Sequence, residues 1–255
     1  MNTNINYMDD EVKDIFTNKE NKQSIYRYIP LSNIHENKLW FSNPNKWKDP
    51  FERLFIESTY KMDGKIIPYK YKNHIYCMCI TTTKHNEAAW KVYNSEVQFR
   101  ISKENFLSIL EKYTEKYDIY IGKVEYRNTS EIKKLSPFTL LNLKQIDFRG
   151  TKGWIKLLLQ KRKDFSYENE IRILLVEKNI NDKKEIDGIN LEYDYEFTEL
   201  FPKAIISPCL DDNKKKETIE ILTKKFFYSE EQIWYNTLYK EVKPRNINLD
   251  YKKGK

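Results

Sequence analysis

The 255-residue chain predicts an α+β fold, a single domain with a mixed, mainly antiparallel central sheet flanked by helices. Three observations carry that expectation. Strand-like and helix-like stretches interleave without a regular βαβ period. The run 171–176, Ile-Arg-Ile-Leu-Leu-Val, places Ile171, Ile173 and Leu175 on one strand face and Leu174 and Val176 on the other, as a strand central in its sheet requires. Apolar residues make up 40% of the chain, with only 6 Gly and 8 Pro, which is enough for a real core and too few breakers for long linkers. The predicted organisation is an N-terminal helical extension over 1–23, one α+β domain over 24–243 and a basic tail over 244–255.

In order, Asp9 to Glu20 reads as a helix with Val12, Ile15 and Phe16 on one face. Ser24 to Ile29 and Lys38 to Ser42 read as strands, joined by a helical turn over Leu31 to Asn37. Asn43-Pro44-Asn45 is a turn signal, and Asp49 is placed to cap a helix that begins at Pro50. Asp63-Gly64 marks a hairpin. His74 to Thr83 is a strand, and Asn86 caps a helix over 86–93 on which Trp90 and Tyr93 share a face. A strand over Val97 to Ile101, a helix over Lys103 to Tyr117 and a strand over Ile119 to Tyr126 follow. Leu135 to Lys163 reads as mostly helical, broken near Gly150 and Gly153. After the central strand come a charged turn at 181–188, an edge strand at 189–195, a buried strand at 203–208, a helix from Asp211/Asp212 to Phe227 and a short strand at 232–234.

Composition narrows the function classes. No apolar run reaches the roughly 18 residues needed for a membrane span, and the polar, acidic N-terminus is no secretory signal. Three Cys form no disulfide framework. Together these predict a cytoplasmic protein with no membrane partner, and nothing in the spacing of Cys and His predicts a metal site. No Gly-rich loop follows a strand, so neither a dinucleotide-binding Rossmann unit nor a P-loop is expected, and no Gly-x-Ser-x-Gly elbow occurs. The net charge is +7. Residues 213–255 carry 11 Lys/Arg against 6 Asp/Glu, and residues 144–172 carry 8 against 4. Such a balance fits a phosphate-bearing ligand, a nucleic-acid surface or plain solvated faces.

The candidate site lies at the start of the central strand. Glu168 and Glu170 are two apart, so on a strand they share a side, and two adjacent carboxylates at a buried position need a compensating cation or ligand. The alternative is a solvated strand end with Arg172 pairing Glu170. Arg27 shares a strand face with Ile25 and Ile29. It either reaches into a cleft to hold an anion or serves as a surface cation, with Glu52 as a partner. Thr81-Thr82-Thr83 ends the 74–83 strand, either as hydroxyls of a site or as a β-prone terminus. Trp90 is either a ring clamp or core.

Several of these pieces also occur together as a pattern. Ile25-Tyr26-Arg27-Tyr28, Leu39-Trp40-Phe41-Ser42-Asn43-Pro44 running to Asp49-Pro50-Phe51-Glu52, Cys79-Ile80-Thr81 before Trp90, and Phe165 to Ile173 with its Tyr-Glu-x-Glu-x-Arg resemble the bacterial domain-of-unknown-function 2971 family over roughly residues 24–243. A second resemblance, to ADP-ribosyltransferases, rests on the order Arg27, Thr81-Thr82-Thr83, Glu168-x-Glu170. Here Thr replaces the more usual Ser of the middle element, and no clear Gly follows Arg27.

That second resemblance implies NAD as substrate. Glu170 would stabilise the charge developing at the ribose and hold its 2′-hydroxyl, and Glu168 would orient or deprotonate the acceptor. Arg27 would hold the pyrophosphate and Thr81 the nicotinamide ribose, while Tyr28, Trp40, Phe41 or Trp90 would wall the ring. It implies a toxin or anti-phage defence effector acting on nucleic acid or protein, with a neutralising or regulatory partner protein. The alternatives are a metal-dependent nuclease using Asp164, Glu168 and Glu170 with Mg²⁺, and a nucleic-acid-binding module built on the basic tail and exposed aromatics.

Overall fold

The computed structural model describes residues 5–62, 64–135, 151–180, 186–236 and 238. The tail over 244–255 and the segment 136–150 lie outside these residues. Strand β1 (Ile5–Tyr7) and helix α1 (Asp10–Thr17) open the described chain. The Asp9 side chain caps α1 by accepting from the Val12 amide at 2.8 Å, and Val12, Ile15 and Phe16 are buried as their spacing predicts. Residues 5–17, expected as an extension, supply a strand to the main sheet and a helix to its core.

Strands β2 (Ile25–Ile29) and β3 (Lys38–Ser42) flank a single 3₁₀ turn, Leu31–Asn33. Helix α2 (Pro50–Glu57) starts where Pro at its first position and Asp49 before it predict, with Asp49 accepting from the Phe51 amide at 2.9 Å. Strands β4 (Thr59–Met62) and β5 (Lys65–Pro68) form the predicted hairpin, and Gly64 takes the positive φ of 79° that its turn requires. Then come β6 (Ile75–Thr81), α3 (Glu87–Tyr93), β7 (Val97–Ile101), α4 (Lys103–Lys112), β8 (Tyr117–Lys123), β9 (Glu125–Arg127), α5 (Thr129–Lys134) and α6 (Thr151–Leu157). The rest is β10 (Gln160–Arg162), β11 (Glu170–Glu177), β12 (Gly188–Glu192), α7 (Phe197–Leu200), β13 (Lys203–Ile206), α8 (Asp212–Lys224) and β14 (Ile233–Tyr235).

Two expectations change. The stretch predicted to be helical through Lys163 leaves the helix at Leu157 and becomes β10, which pairs in parallel with β9. There Gln160 and Lys161 turn their side chains into the interior, an arrangement that suits a polar cluster better than an apolar helix face. Glu168 does not lie on the central strand either. Lys163–Glu168 is a 3₁₀ turn ended by Asn169 at φ 45°, and the strand starts at Glu170. Asn is among the few residues that accept the left-handed region cheaply.

Ten strands form one sheet among the described residues, in the order β1-β8-β11-β6-β2-β7-β13-β14, with β3 joining at β6 and carrying β12. The pairs β1/β8 and β13/β14 are parallel, and the other pairs in this sheet are antiparallel. This is the α+β, mainly antiparallel architecture predicted above. β11 sits between β6 and β8. Ile171, Ile173 and Leu175 enter the larger core under α1, α4 and α7, and Leu174 and Val176 enter a second core with Trp154, Leu157 and Tyr120. Among the described residues no helix is long and apolar enough to cross a membrane.

The feature that positions the site is a split in this sheet. β6 pairs with β11 along its whole length, Ile75 to Thr81. On its other edge it meets β3 only at Cys77, opposite Ser42, and β2 only at Thr81, opposite Tyr26. β2 and β3 therefore diverge from opposite ends of β6, and Met78, Cys79 and Ile80 line the gap between them.

Candidate active site at the split in the sheet

A cleft of about 200 Å³ opens at this gap. It is lined by Tyr26, Arg27 and Tyr28 from β2, Ser42 from β3, Cys77 to Thr81 from β6, Ala89 and Tyr93 from α3, and Glu168 and Glu170 from the turn and strand after β10. Five sequence-predicted site residues, Arg27, Tyr28, Thr81, Glu168 and Glu170, thus meet in one place. Trp90 and Trp40 do not line this cleft. Trp90 is 1% exposed and packs behind Tyr28, its ring edge-on at 4.7 Å, so it is core that holds the wall rather than the wall itself. Trp40 is 38% exposed and faces a neighbouring cleft.

The acidic side is a closed network of charges. Glu170 sits at the end of β11 with both oxygens engaged: Oε1 accepts from Arg172 Nε at 2.8 Å and Oε2 from Lys161 Nζ at 2.9 Å. Lys161 also donates to Glu168, and its ammonium stands 3.1 Å from Glu52 Oε1. Arg172, 1% exposed, completes the network with Glu52, donates to the Leu158 carbonyl at 2.5 Å and stacks over Trp47 at 4.4 Å. Among the described residues three carboxylates, Glu52, Glu168 and Glu170, therefore face two cations, Lys161 and Arg172.

That deficit appears in the titration of the pair. Burial raises the Glu168 carboxyl, Glu170 raises it further, and Lys161 only partly offsets them, so it is pushed up to about 7. Burial pushes Glu170 the same way, but Arg172 and Lys161 outweigh it and hold Glu170 well below the usual carboxylate range. Glu168 is thus the residue that exchanges a proton near neutrality, and Glu170 is the fixed charge. The alternative of a solvated strand end is half met: Arg172 pairs Glu170, but both are buried. The alternative pairing of Arg27 with Glu52 is absent, because Glu52 is taken by Lys161 and Arg172.

Thr81 buttresses this side through Glu168. Its hydroxyl donates to the Glu168 carbonyl at 2.6 Å and accepts from the Thr83 amide at 3.0 Å. Asn169 donates to the Thr82 hydroxyl at 2.6 Å, and Asn86 donates to the Tyr167 carbonyl. Thr81 and Thr82 therefore clamp the turn that presents Glu168. The Glu170 amide is held in turn by the Tyr126 hydroxyl at 2.9 Å.

The opposite side is different. Arg27 reaches from β2 across the split to the Trp40 carbonyl on β3, at 3.4 Å. Burial lowers its pKa to about 10, so it stays charged at neutral pH, and among the described residues no carboxylate pairs with it. An aromatic stack closes the third side, with Tyr28 lying on Tyr93 at 5.6 Å and 21°. Burial, then Glu168 and Glu170, push the Tyr93 hydroxyl far above the ordinary tyrosine range, so it remains a donor.

Lys161 and Tyr93 were missed as site residues. Tyr93 was signalled by sharing a helix face with Trp90. Lys161 was hidden inside a stretch read as helix; its signal is a Gln-Lys-Arg run directly after Leu157-Leu158-Leu159, where polar residues follow a buried segment.

The arrangement offers a cation, an aromatic wall and a proton-exchanging carboxyl around one small cleft. Among the described residues no group of three or more His, Cys, Asp or Glu side chains is set to hold a metal ion. Where carboxylates do converge, the Lys161 ammonium stands between them, and Asp164 is exposed on the 3₁₀ turn. Comparison with protein-family models, with curated proteins and with solved structures found no match.

Proposed function

We propose that this protein is an ADP-ribosyltransferase-like enzyme that uses NAD as substrate, breaking the nicotinamide–ribose bond and passing the ADP-ribosyl group to an acceptor. The reading is supported by the meeting of Arg27, Tyr28, Thr81, Glu168 and Glu170, residues far apart in sequence, around one cleft. The chemistry fits these side chains. Arg27 is a charged guanidinium with no carboxylate partner among the described residues, suited to a pyrophosphate. Tyr28 and Tyr93 offer a stacked wall to a flat ring. A volume of about 200 Å³ suits the nicotinamide riboside end of the dinucleotide.

When the glycosidic bond breaks, its electron pair leaves with nicotinamide, which departs neutral and needs no acid. Positive charge develops at the ribosyl carbon, and an acidic cluster with one more carboxylate than cation favours it. The acceptor then forms its bond to that carbon and gives its proton to Glu168. In this division Glu168 takes the acceptor's proton, the role the resemblance implies for it, and Glu170, paired with Arg172 and Lys161, holds its charge and orients Lys161. The net charge of +7 favours a nucleic-acid acceptor, with protein or water as the others, and a cytoplasmic toxin or defence role restrained by a partner protein belongs to the same proposal.

Nicotinamide release from NAD by the purified protein, alone and with RNA, DNA or cell lysate, tests it. Wild type should release nicotinamide, with a rate that rises with pH through about 7 as Glu168 ionises. Glu168→Gln should slow it roughly 100-fold or more and remove that pH limb. Undiminished release from Glu168→Gln would sink the assignment. Nucleic-acid binding without NAD loss would favour the binding-module alternative, and cleavage of nucleic acid abolished by a chelator would favour the nuclease.

A further inference from the structure

A second cleft, of about 470 Å³, lies beside the first. Arg27 and Tyr28 line both, so the Arg27 guanidinium stands at the threshold between them. The other walls combine polar or charged groups (Asn33, His35 and Lys38) with the exposed indole of Trp40, over a floor that includes buried Leu39 and Phe201. We infer that this second cleft is a nucleotide subsite: Trp40 stacks the base, and Lys38 with Arg27 holds the phosphates of a purine nucleoside diphosphate.

Three features carry the inference. The Trp40 ring is exposed yet fixed in place. It lies over Gly188 of the neighbouring strand, where a Cβ would come within 2.5 Å of the indole and 2.3 Å of the Phe41 carbonyl oxygen. Only a glycine there lets the ring lie against the strand, and the outcome is a flat apolar surface facing the cleft, of the kind on which bases stack. The charge is also suited to an anion. Arg27 has no carboxylate partner among the described residues, and the Lys38 partner, Glu192, stands at 3.6 Å in a solvent-exposed pair that a phosphate can displace. Finally, the sizes divide a dinucleotide. The first cleft, at about 200 Å³, is below the range of whole-ligand sites, and the second falls within it.

This extends the proposed NAD reading and can fail separately from it. Isothermal titration calorimetry of the full chain with ADP, ADP-ribose and nicotinamide tests it. ADP should bind to wild type. Trp40→Ala should weaken ADP roughly 10-fold or more, the loss expected for one stacked base, and Trp40→Phe should recover most of it. Lys38→Ala should weaken ADP more than adenosine. Thermal unfolding of each variant checks that the fold is retained, which a residue 38% exposed allows. No ADP binding at millimolar concentration, or ADP affinity unchanged by Trp40→Ala, overturns the inference. Binding of ADP through Trp40 with no NAD consumption by the same preparation would instead leave the subsite standing and remove the transferase reading.

Discussion

The two sides of the split sheet carry charge in opposite ways. On the β11 side, Glu52, Glu168, Glu170, Lys161 and Arg172 are buried or nearly so and satisfy one another. On the β2 side, the Arg27 guanidinium reaches over the gap to the Trp40 carbonyl at 3.4 Å and has no carboxylate partner among the described residues. Buried ions that neutralise each other mainly hold the chain in one arrangement, and removing one member leaves its partners stranded at high cost. A cation whose charge burial disfavours, with no counter-ion among the described residues, adds no stability to the fold and keeps its charge for a ligand. The contrast separates a self-paired network that shapes the cleft, of which Glu168 is the member proposed to exchange a proton with what enters, from a cation left for a ligand, and it can be broken or sharpened by experiment.

The largest effect is expected at Arg172. Arg172→Leu leaves Lys161 alone to face Glu52, Glu168 and Glu170 and frees the Leu158 carbonyl, and should cost about 3–5 kcal/mol in urea unfolding. A cost below about 1 kcal/mol would mean that the cluster is not the closed network described here.

Next comes the pH dependence of stability. Glu168 has a folded-state pKa raised from 4.5 to about 7, so its favourable contribution is complete below about pH 4.5 and is lost as pH rises through about 7, an effect of up to about 3 kcal/mol. Glu170 works the other way: its pKa is depressed, so its contribution is present above about pH 4.5 and lost on acidification. Glu168→Gln should therefore flatten the decline between about pH 4.5 and 7 while leaving the acid limb in place. Thermal melts across that range would show it, and an unchanged slope in the variant would assign the titration elsewhere.

Thr81→Val should cost roughly 1 kcal/mol, the worth of one buried hydrogen bond to the Glu168 carbonyl. It should also blunt the activity proposed for Glu168, because the turn presenting that carboxyl loses its clamp. The smallest stability effect belongs to Arg27. Arg27→Ala should change folding by less than about 1 kcal/mol and yet weaken ADP-ribose binding roughly 10-fold or more. A large loss of stability there would erase the contrast between the two sides.

Much of the fold was readable because it is local. Alternation marked Ile25–Ile29, Lys38–Ser42 and Val97–Ile101, and the caps at Asp9, Asp49, Asn86 and Asp211 are each made by a side chain two or three residues from the amide it accepts. The candidate site was partly readable for a different reason. Arginine on an apolar strand face and two glutamates beside a buried strand are residue types that a core does not hold without cause.

What the sequence alone determined, then, is the set of strands and helices with their apolar faces, and the polar residues too costly to bury idly. Only the tertiary structure decided which of those residues meet. Lys161 looked like one cation in a basic stretch until β10 paired with β9 and set it among three carboxylates. Trp90 and Trp40 looked alike as candidate walls, yet one is core and the other an exposed plate. Glu168 is pushed up to about 7 while Glu170 keeps its charge, because Asn169 turns the chain between them and Arg172 reaches only the latter. These outcomes depend on charges and surfaces brought together by strand pairing across long separations, and the energy of each depends on its neighbours in space, which no short stretch of chain specifies.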